Sequence, residues 1–417
     1  MMASIAMAAR ALILAAAVAG NLLERPSSPF HDVSATWQES LDAALARTGP
    51  LSAGDVERYF VDGFLKVEGV LDGAMLAELR RDVDAKQTEF ARSLLAEGRL
   101  NGTIDAWAAI PWDEKLLRMQ DAYPDASVLF AKNGKLTPAF QRLFTHDGVV
   151  AIARQLGVPA DADGKLAIHP AWNLRGKMPS HDETEVPWHQ DNSYWEPRLW
   201  SQQIFTAWVP LVDATPANGC MEYVRGSHRS GQTVTHTCCL GNTWYTETSL
   251  AEVAAQLGLP DAADRAVLVP ARAGDMIFFG PTMVHRSIKN SGSTIRWSAD
   301  LRWHQVGGPG APPPPERAGG DELDFFYGLK NSLVIAEPGV TVAPGSPAMD
   351  AWASIDRSEV QEAGLNTKAA AIDLDPIVTG PWMDIWNITH RNRHVDRYVA
   401  SLPAAVRAAV DGARTDL

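Results

Sequence analysis

At 417 residues, 46% hydrophobic and 21% charged, the chain has the make-up of one large folded domain or two ordinary ones, which excludes disordered, collagen-like and coiled-coil classes. Acidic residues outnumber basic ones, 50 Asp+Glu against 37 Lys+Arg for a net charge of −13, and such a surface repels phosphate backbones, so no nucleic-acid partner is expected. No run of about 18 apolar residues occurs, so no stable membrane span is expected; the three cysteines, Cys220, Cys238 and Cys239, form no CxxC zinc pair and, since neighbours rarely bridge, no disulfide framework.

Residues 1–25 combine Arg10 with a short apolar run and read as a candidate targeting segment, for an organelle or for secretion; without it the expectation is a soluble cytoplasmic protein. An arm with a short helix follows over 27–50. Ser52 is placed to cap a helix whose apolar residues include Phe60, Val61 and Phe64, and a short strand and turn is predicted over 67–71. Between 74 and 96, Leu76, Leu79, Val83, Phe90 and Leu94 recur at helical spacing, which predicts an amphipathic helix packed against a sheet. A second helix is predicted over 138–156.

After Asp161 the texture changes to short runs of β-formers between Gly, Pro and Asn turns, at 204–212, 220–225, 266–269, 276–279, 284–288 and 293–303. Close spacing without intervening long helices argues for an antiparallel barrel or sandwich. A polyproline-rich linker follows at 307–315, and the chain ends in a predicted helix over 404–414.

The chemistry begins at Pro187-Trp188-His189-Gln190-Asp191. In an extended strand, residues two apart share a face, so His189 and Asp191 project together and can supply two adjacent ligands to a divalent metal. Alone, an H-x-D pair is common by chance. His285 adds weight, because it is a polar residue just past the apolar strand Met276-Ile277-Phe278-Phe279 and needs a partner. In the last strand Ile295, Trp297, Ala299, Leu301 and Trp303 share one face, and Arg296, Ser298, Asp300 and Arg302 the other. Arg296 thus points back toward the strand of His285, or else lies on a solvated face. His189, Asp191 and His285 make a two-His-one-carboxylate set, which suits non-haem Fe(II) and leaves positions open. An Arg beside it can clamp a carboxylate through its planar fork.

With these parts together, residues 56–303 resemble the phytanoyl-CoA dioxygenase family of Fe(II)/2-oxoglutarate-dependent oxygenases. The resemblance is carried by Trp188-His189-Gln190-Asp191, Thr206-Ala207-Trp208-Val209-Pro210-Leu211, Asn218-Gly219-Cys220-Met221, Arg225-Gly226-Ser227-His228, the stretch from Gly274-Asp275 to Ser287, and Arg296 eleven residues after His285. It implies a double-stranded β-helix, a cupin-like jelly roll that is mainly β with flanking N-terminal helices. It further implies iron held by His189, Asp191 and His285, and 2-oxoglutarate paired with Arg296 and helped by Ser287. Gln190 and Trp208 match positions lining the co-substrate pocket, and Lys177 matches a basic residue on the preceding strand. His228 reads as a turn residue, and His236 as a group near the pocket. Tyr194, Trp195, Trp200 and Trp244 are candidates for an aromatic substrate wall.

The expected organisation is an oxygenase domain over 51–305 and, over 306–417, a linker and a C-terminal extension packing on the barrel. The expected reaction uses O2 to hydroxylate a small organic or lipid-derived substrate, with release of succinate and CO2. A desaturase or cyclase of the same iron class is the nearest alternative. A non-oxygenase cupin-type metalloenzyme has no need of the Arg296 clamp, and a degenerate, non-catalytic barrel would not retain all three ligands. The oligomeric state has no signature in the sequence.

Overall fold

The computed structural model describes residues 33–132, 137–156, 166–305 (save 170, 196, 198, 199 and 201–203), 333–337, 340–341, 349, 374–404 and 407. The candidate targeting segment, the polyproline linker and most of the predicted helix over 404–414 lie outside them.

After α1 (Val33–Ala46), Ser52 caps α2 (Ala53–Asp62) as expected: its hydroxyl accepts the Asp55 N–H, and the Asp55 carboxylate reaches back to the Ser52 N–H. Gly63 closes α2 at φ 88°, and a Cβ there would run into His228 Nδ1, so both the left-handed turn and the close approach require glycine. Strand β1 (Phe64–Val67) starts earlier than the 67–71 expected, because Phe64 and Leu65 pair with Phe279 and Phe278. Asp72 caps α3 (Gly73–Ala96), accepting the Met75 N–H at 2.8 Å.

Helices α4 (Ile104–Ala108), α5 (Trp112–Ala122) and α6 (Ala126–Lys132) follow. The single helix expected over 138–156 is two, α7 (Pro138–Phe144) and α8 (Asp147–Leu156). The Thr145 hydroxyl turns back onto the Gln141 and Arg142 carbonyls, the local competition by which Thr ends helices.

The larger sheet contains β1, β2 (Leu166–Ile168), β3 (Asn173–Lys177), β5 (Ile204–Pro210), β10 (Met276–Phe279) and β12 (Arg296–Gln305), extended by β13 (Leu333–Glu337) and β14 (Val340–Thr341). It runs β1-β10-β5-β12-β2-β13-β14, with β3 also paired to β12, all antiparallel. The smaller sheet is β4 (Val186–His189), β11 (His285–Ser287), β6 (Met221–Val224) and β9 (Ala266–Val269), in that order and antiparallel. Their inner faces meet through Phe64, Trp208, Ile277 and Phe279 on one side and Met221, Tyr223 and Val269 on the other. The result is a jelly-roll barrel of two antiparallel sheets.

The helices cover the outside of the larger sheet. Leu76, Leu79, Val83, Phe90 and Leu94 of α3 share a core with Trp297, Ala299, Leu301 and Trp303 of β12. Alternation along β12 therefore behaves as predicted: Trp297 packs edge-on to Phe130 and Trp303 to Phe144, while Arg296, Ser298, Asp300 and Arg302 are buried on the opposite, inner face.

A third sheet joins β7 (Thr237–Cys238), β8 (Thr246–Glu247) and β15 (Asn387–Ile388). In the chain, β7 and β8 precede α9 (Leu250–Leu257), and β15 lies between the C-terminal α10 (Trp382–Ile385) and α11 (Arg393–Ser401). Here the cysteine expectation fails: Cys238 and Cys239 are bridged. Both side chains are fully buried in one cluster with Trp195, Trp382 and Trp386. Among the described residues no helix is long and apolar enough to cross a membrane.

His228 ties the end of α2 to the barrel, its Nε2 lying 3.0 Å from the Phe60 carbonyl. Burial pushes its pKa down from 6.5 to about 4. A neutral ring in the fold and a titrating one in the unfolded chain give stability that is complete above pH 6.5 and is lost as pH falls toward 4. Urea unfolding at pH 7 and pH 5 should show this loss in the wild type. His228→Gln should shrink the pH-dependent difference by about 1–2 kcal/mol; an unchanged difference would mean that the ring is protonated in the fold.

Candidate active site

β4 and β11 pair with His189 directly opposite His285, which sets the two imidazoles side by side, ring centroids 4.2 Å apart and planes tilted by 49°. The strand ends at His189. Gln190 stays extended (φ −114°, ψ 141°), and Asp191 opens a 3-10 turn, so the two-residue spacing still brings the carboxylate alongside. Asp191 Oδ1 lies 3.7 Å from His189 Nε2 and 3.9 Å from His285 Nε2. All three residues are buried, and their ligand atoms lie within 4.8 Å of one another.

The tautomers follow from the backbone. His189 Nδ1 donates to the Pro187 carbonyl and His285 Nδ1 to the Met283 carbonyl, each at 2.9 Å, which leaves both Nε2 lone pairs facing Asp191 Oδ1. Burial, then the neighbouring His189, pushes the His285 pKa down to about 3, which keeps that lone pair available at neutral pH. Two neutral imidazole nitrogens and one carboxylate oxygen, with no thiolate, fit Fe(II) in a facial arrangement.

The carboxylate is itself held. Arg302 donates to Asp191 Oδ2 through Nη2 at 2.9 Å and Nε at 3.2 Å, and the Thr206 hydroxyl donates to the same oxygen at 3.1 Å. Arg302 Nη1 is anchored on the Ala171 carbonyl. Burial alone would raise the Asp191 pKa, but Arg302 and the His189 contact hold it well below the ordinary carboxylate range. Oδ2 is therefore committed to protein donors, and Oδ1 is the oxygen presented to a metal.

Arg296 enters from the facing sheet. Its guanidinium stacks over Trp208 at 5.1 Å and donates through Nη1 to Ser298 Oγ at 2.5 Å, while Nε is buried without a hydrogen-bond partner. An orphaned guanidinium donor beside a three-ligand cluster fits a carboxylate co-substrate. One cavity is lined by Arg175, Val186, His189, Asp191, Trp208, Met221, Phe279, His285, Ser287, Arg296, Asp300 and Arg302. His189, Asp191, His285, Ser287, Trp208 and Arg296 are thus brought together.

Lys177, Gln190 and His236 are not among the lining residues, for identifiable reasons. The buried Lys177 ammonium is spent on Ser287 Oγ at 3.0 Å and on the Ser287 and Thr184 carbonyls, so it supports Ser287 from behind. Gly219 makes room for it: at φ 91°, a Cβ there would lie 2.6 Å from the Lys177 side chain. The Gln190 amide is consumed by the backbone of Gln232, Thr282 and Val234, as a strut under the metal strand. His236 accepts the Gln190 N–H on Nε2 and donates from Nδ1 to Val234.

The aromatic candidates divide. Tyr194 stands edge-on to His189 at 5.6 Å and to Trp382 at 5.3 Å. Trp195 and Trp200 belong to the cluster around Trp386, whose indole N–H donates to the Ser193 carbonyl, and Trp244 packs on His394. The C-terminal segment therefore sits against the turn that carries Asp191, while the outer face of the larger sheet is taken by helices.

Arg302, Asp300, Arg175 and Thr206 were not singled out from the sequence. For the first two a signal existed: they alternate in phase with Arg296 along β12 and so had to share its buried face. Arg175 follows from register alone, since it pairs with Ser298.

The family model described as phytanoyl-CoA dioxygenase (PhyH) matches residues 59–298, more than half of the chain. An ectoine dioxygenase from Bordetella parapertussis is 24% identical over 285 residues, which cover 63% of this chain and 82% of the relative. Phytanoyl-CoA dioxygenase domain-containing protein 1 from Bos taurus is 26% identical over 204 residues, 43% of this chain and 67% of the relative. Among solved structures, EctD from S. alaskensis in its apoform aligns with a TM-score of 0.42 at 19% identity, covering 72% of this chain and 90% of that one. The chain belongs to the phytanoyl-CoA dioxygenase (PhyH) family.

Proposed function

We propose that the protein is an Fe(II)- and 2-oxoglutarate-dependent dioxygenase that hydroxylates a small organic substrate and releases succinate and CO2. The observation that carries this reading is the convergence, in one cavity, of two imidazole Nε2 atoms and one carboxylate oxygen with a guanidinium that has a donor to spare. Family membership and the ectoine dioxygenase relative support it.

Bound iron with 2-oxoglutarate and O2 supplies the oxidising power for an unactivated C–H bond, coupled to decarboxylation of the 2-oxo acid. The chain's own residues do the holding and orienting. His189, Asp191 and His285 would hold the metal, with Arg302 and Thr206 keeping Asp191 ionised and turned. Arg296, steadied by Trp208 and Ser298, would take the far carboxylate of 2-oxoglutarate, with Ser287 beside it. Val186, Met221, Phe279 and Trp208 line the rest of the cavity with apolar surface and limit water there.

The test is Fe(II)-dependent succinate release from 2-oxoglutarate, first alone and then with a metabolite library, followed by mass spectrometry of the product under ¹⁸O₂. Succinate release that is stimulated by a substrate and abolished by chelation is the expected result, with ¹⁸O in the product. An unlabelled product lacking two hydrogens would replace hydroxylation by desaturation. No succinate with any metal would remove the reading.

A further inference from the structure

Arg175 is a cavity residue that neither the metal nor the co-substrate calls for. It lies on β3 opposite Ser298, on the same inner face as Arg296 and Arg302, and lines the cavity with the three candidate ligands. Its Nε is paired with Asp300 Oδ2 at 2.8 Å, and Asn173 donates to the same oxygen. The Arg175 side chain nevertheless remains 34% exposed, against 10% for Asp300 and 7% for Arg302. Arg302 is committed to Asp191 and a backbone carbonyl; Arg175 is held by Asp300 through Nε and has the Tyr245 hydroxyl as a second partner, and its guanidinium still carries more N–H groups than these two acceptors take.

Charge points the same way. The cavity is lined by three guanidinium groups, Arg175, Arg296 and Arg302, and two carboxylates, Asp191 and Asp300. Fe(II) would add two positive charges, and the 2-oxoglutarate dianion would remove two, so the lining side chains keep one net positive charge, with Arg175 the least buried of the cations. A monoanionic ligand offsets a net positive charge in such a site. A guanidinium whose remaining donors form a planar edge matches a carboxylate best.

We infer that Arg175 is the recognition point for a carboxylate on the substrate to be oxidised, so that the substrate is a carboxylic acid bound through that group while the bond to be attacked faces the metal cluster. This rests on the function proposed above, which supplies the metal and the co-substrate.

The experiment is an anaerobic titration of the full-length protein, loaded with Mn(II) and saturating 2-oxoglutarate, with hexanoate and benzoate and with their primary amides, followed by tryptophan fluorescence. The wild type should bind each carboxylate at least ten-fold more tightly than its amide. Arg175→Gln should reduce that ratio to under two-fold, and Arg175→Lys should fall between. Arg175→Gln combined with Asp300→Asn removes both charges of the pair, and it should also lose the preference if the single variant folds poorly. Equal binding of acid and amide by the wild type would overturn the inference, as would a preference that survives in Arg175→Gln. So would a preference lost in Arg296→Lys but kept in Arg175→Gln, since the probe would then be reading the co-substrate clamp. Absence of Fe(II)-dependent succinate release alongside an Arg175-dependent preference would sink the proposed reaction and leave the carboxylate subsite standing.

Discussion

Replacing His189, Asp191 or His285 by alanine, one at a time, is expected to abolish Fe(II)-dependent turnover and to weaken metal binding beyond detection in a calorimetric titration. Each change removes one of only three protein ligand atoms, and no other His, Cys, Asp or Glu forms such a cluster among the described residues. The three variants should differ in stability. His189→Ala and His285→Ala delete rings whose only protein hydrogen bonds are to the Pro187 and Met283 carbonyls. Asp191→Ala leaves Arg302 buried without its carboxylate, and breaking a buried pair from one side costs about 3–5 kcal/mol. Thermal melts of the apoproteins should therefore rank Asp191→Ala clearly lowest, and Asp191→Ala/Arg302→Met should recover part of the loss. Near-wild-type turnover with iron bound, in any of the three, would show that the metal sits elsewhere.

The second large effect is expected at Arg296. Truncation to alanine should raise the KM for 2-oxoglutarate by roughly thirty-fold or more, because losing one partner of a buried, hydrogen-bonded charge pair costs on the order of 2–5 kcal/mol. Burial lowers the Arg296 pKa only to about 10, so the guanidinium stays charged at neutral pH and is available to a carboxylate. Arg296→Lys should rescue only partly: an ammonium cannot stack on Trp208 while donating both to Ser298 and to a ligand. Lys177 cannot stand in, since its ammonium is already engaged by Ser287 and Thr184. Initial rates against 2-oxoglutarate concentration decide the matter. An unchanged KM in Arg296→Ala would move the clamp to Arg175, the neighbouring guanidinium in the cavity.

Much of the architecture was legible before any coordinates. Alternation along 295–303 predicted which face of β12 meets the helices, because a strand's period of two leaves no other choice once Trp297, Ala299 and Leu301 must be buried. The helix over 74–96 and the cap at Ser52 are local features, written in side chains within a turn of where they act. The split at Thr145 and the early start of β1 were missed for the opposite reason. The first depends on one hydroxyl choosing carbonyls over solvent, the second on pairing with Phe278 and Phe279, more than two hundred residues away.

The same division holds at the site. Residue type and spacing alone single out the candidates for coordination and clamping: the H-x-D pair, the later histidine and the in-phase arginine. Only the tertiary structure decided how those groups are deployed. Closing the two sheets set Arg302 on Asp191 and so chose which oxygen faces the metal; it spent Gln190, His236 and Lys177 on backbone and Ser287; and it brought Arg175 into the cavity. Each of these outcomes turns on which donor meets which acceptor across strands far apart in sequence. That is a property of register and sheet packing, on which the composition of any single segment is silent.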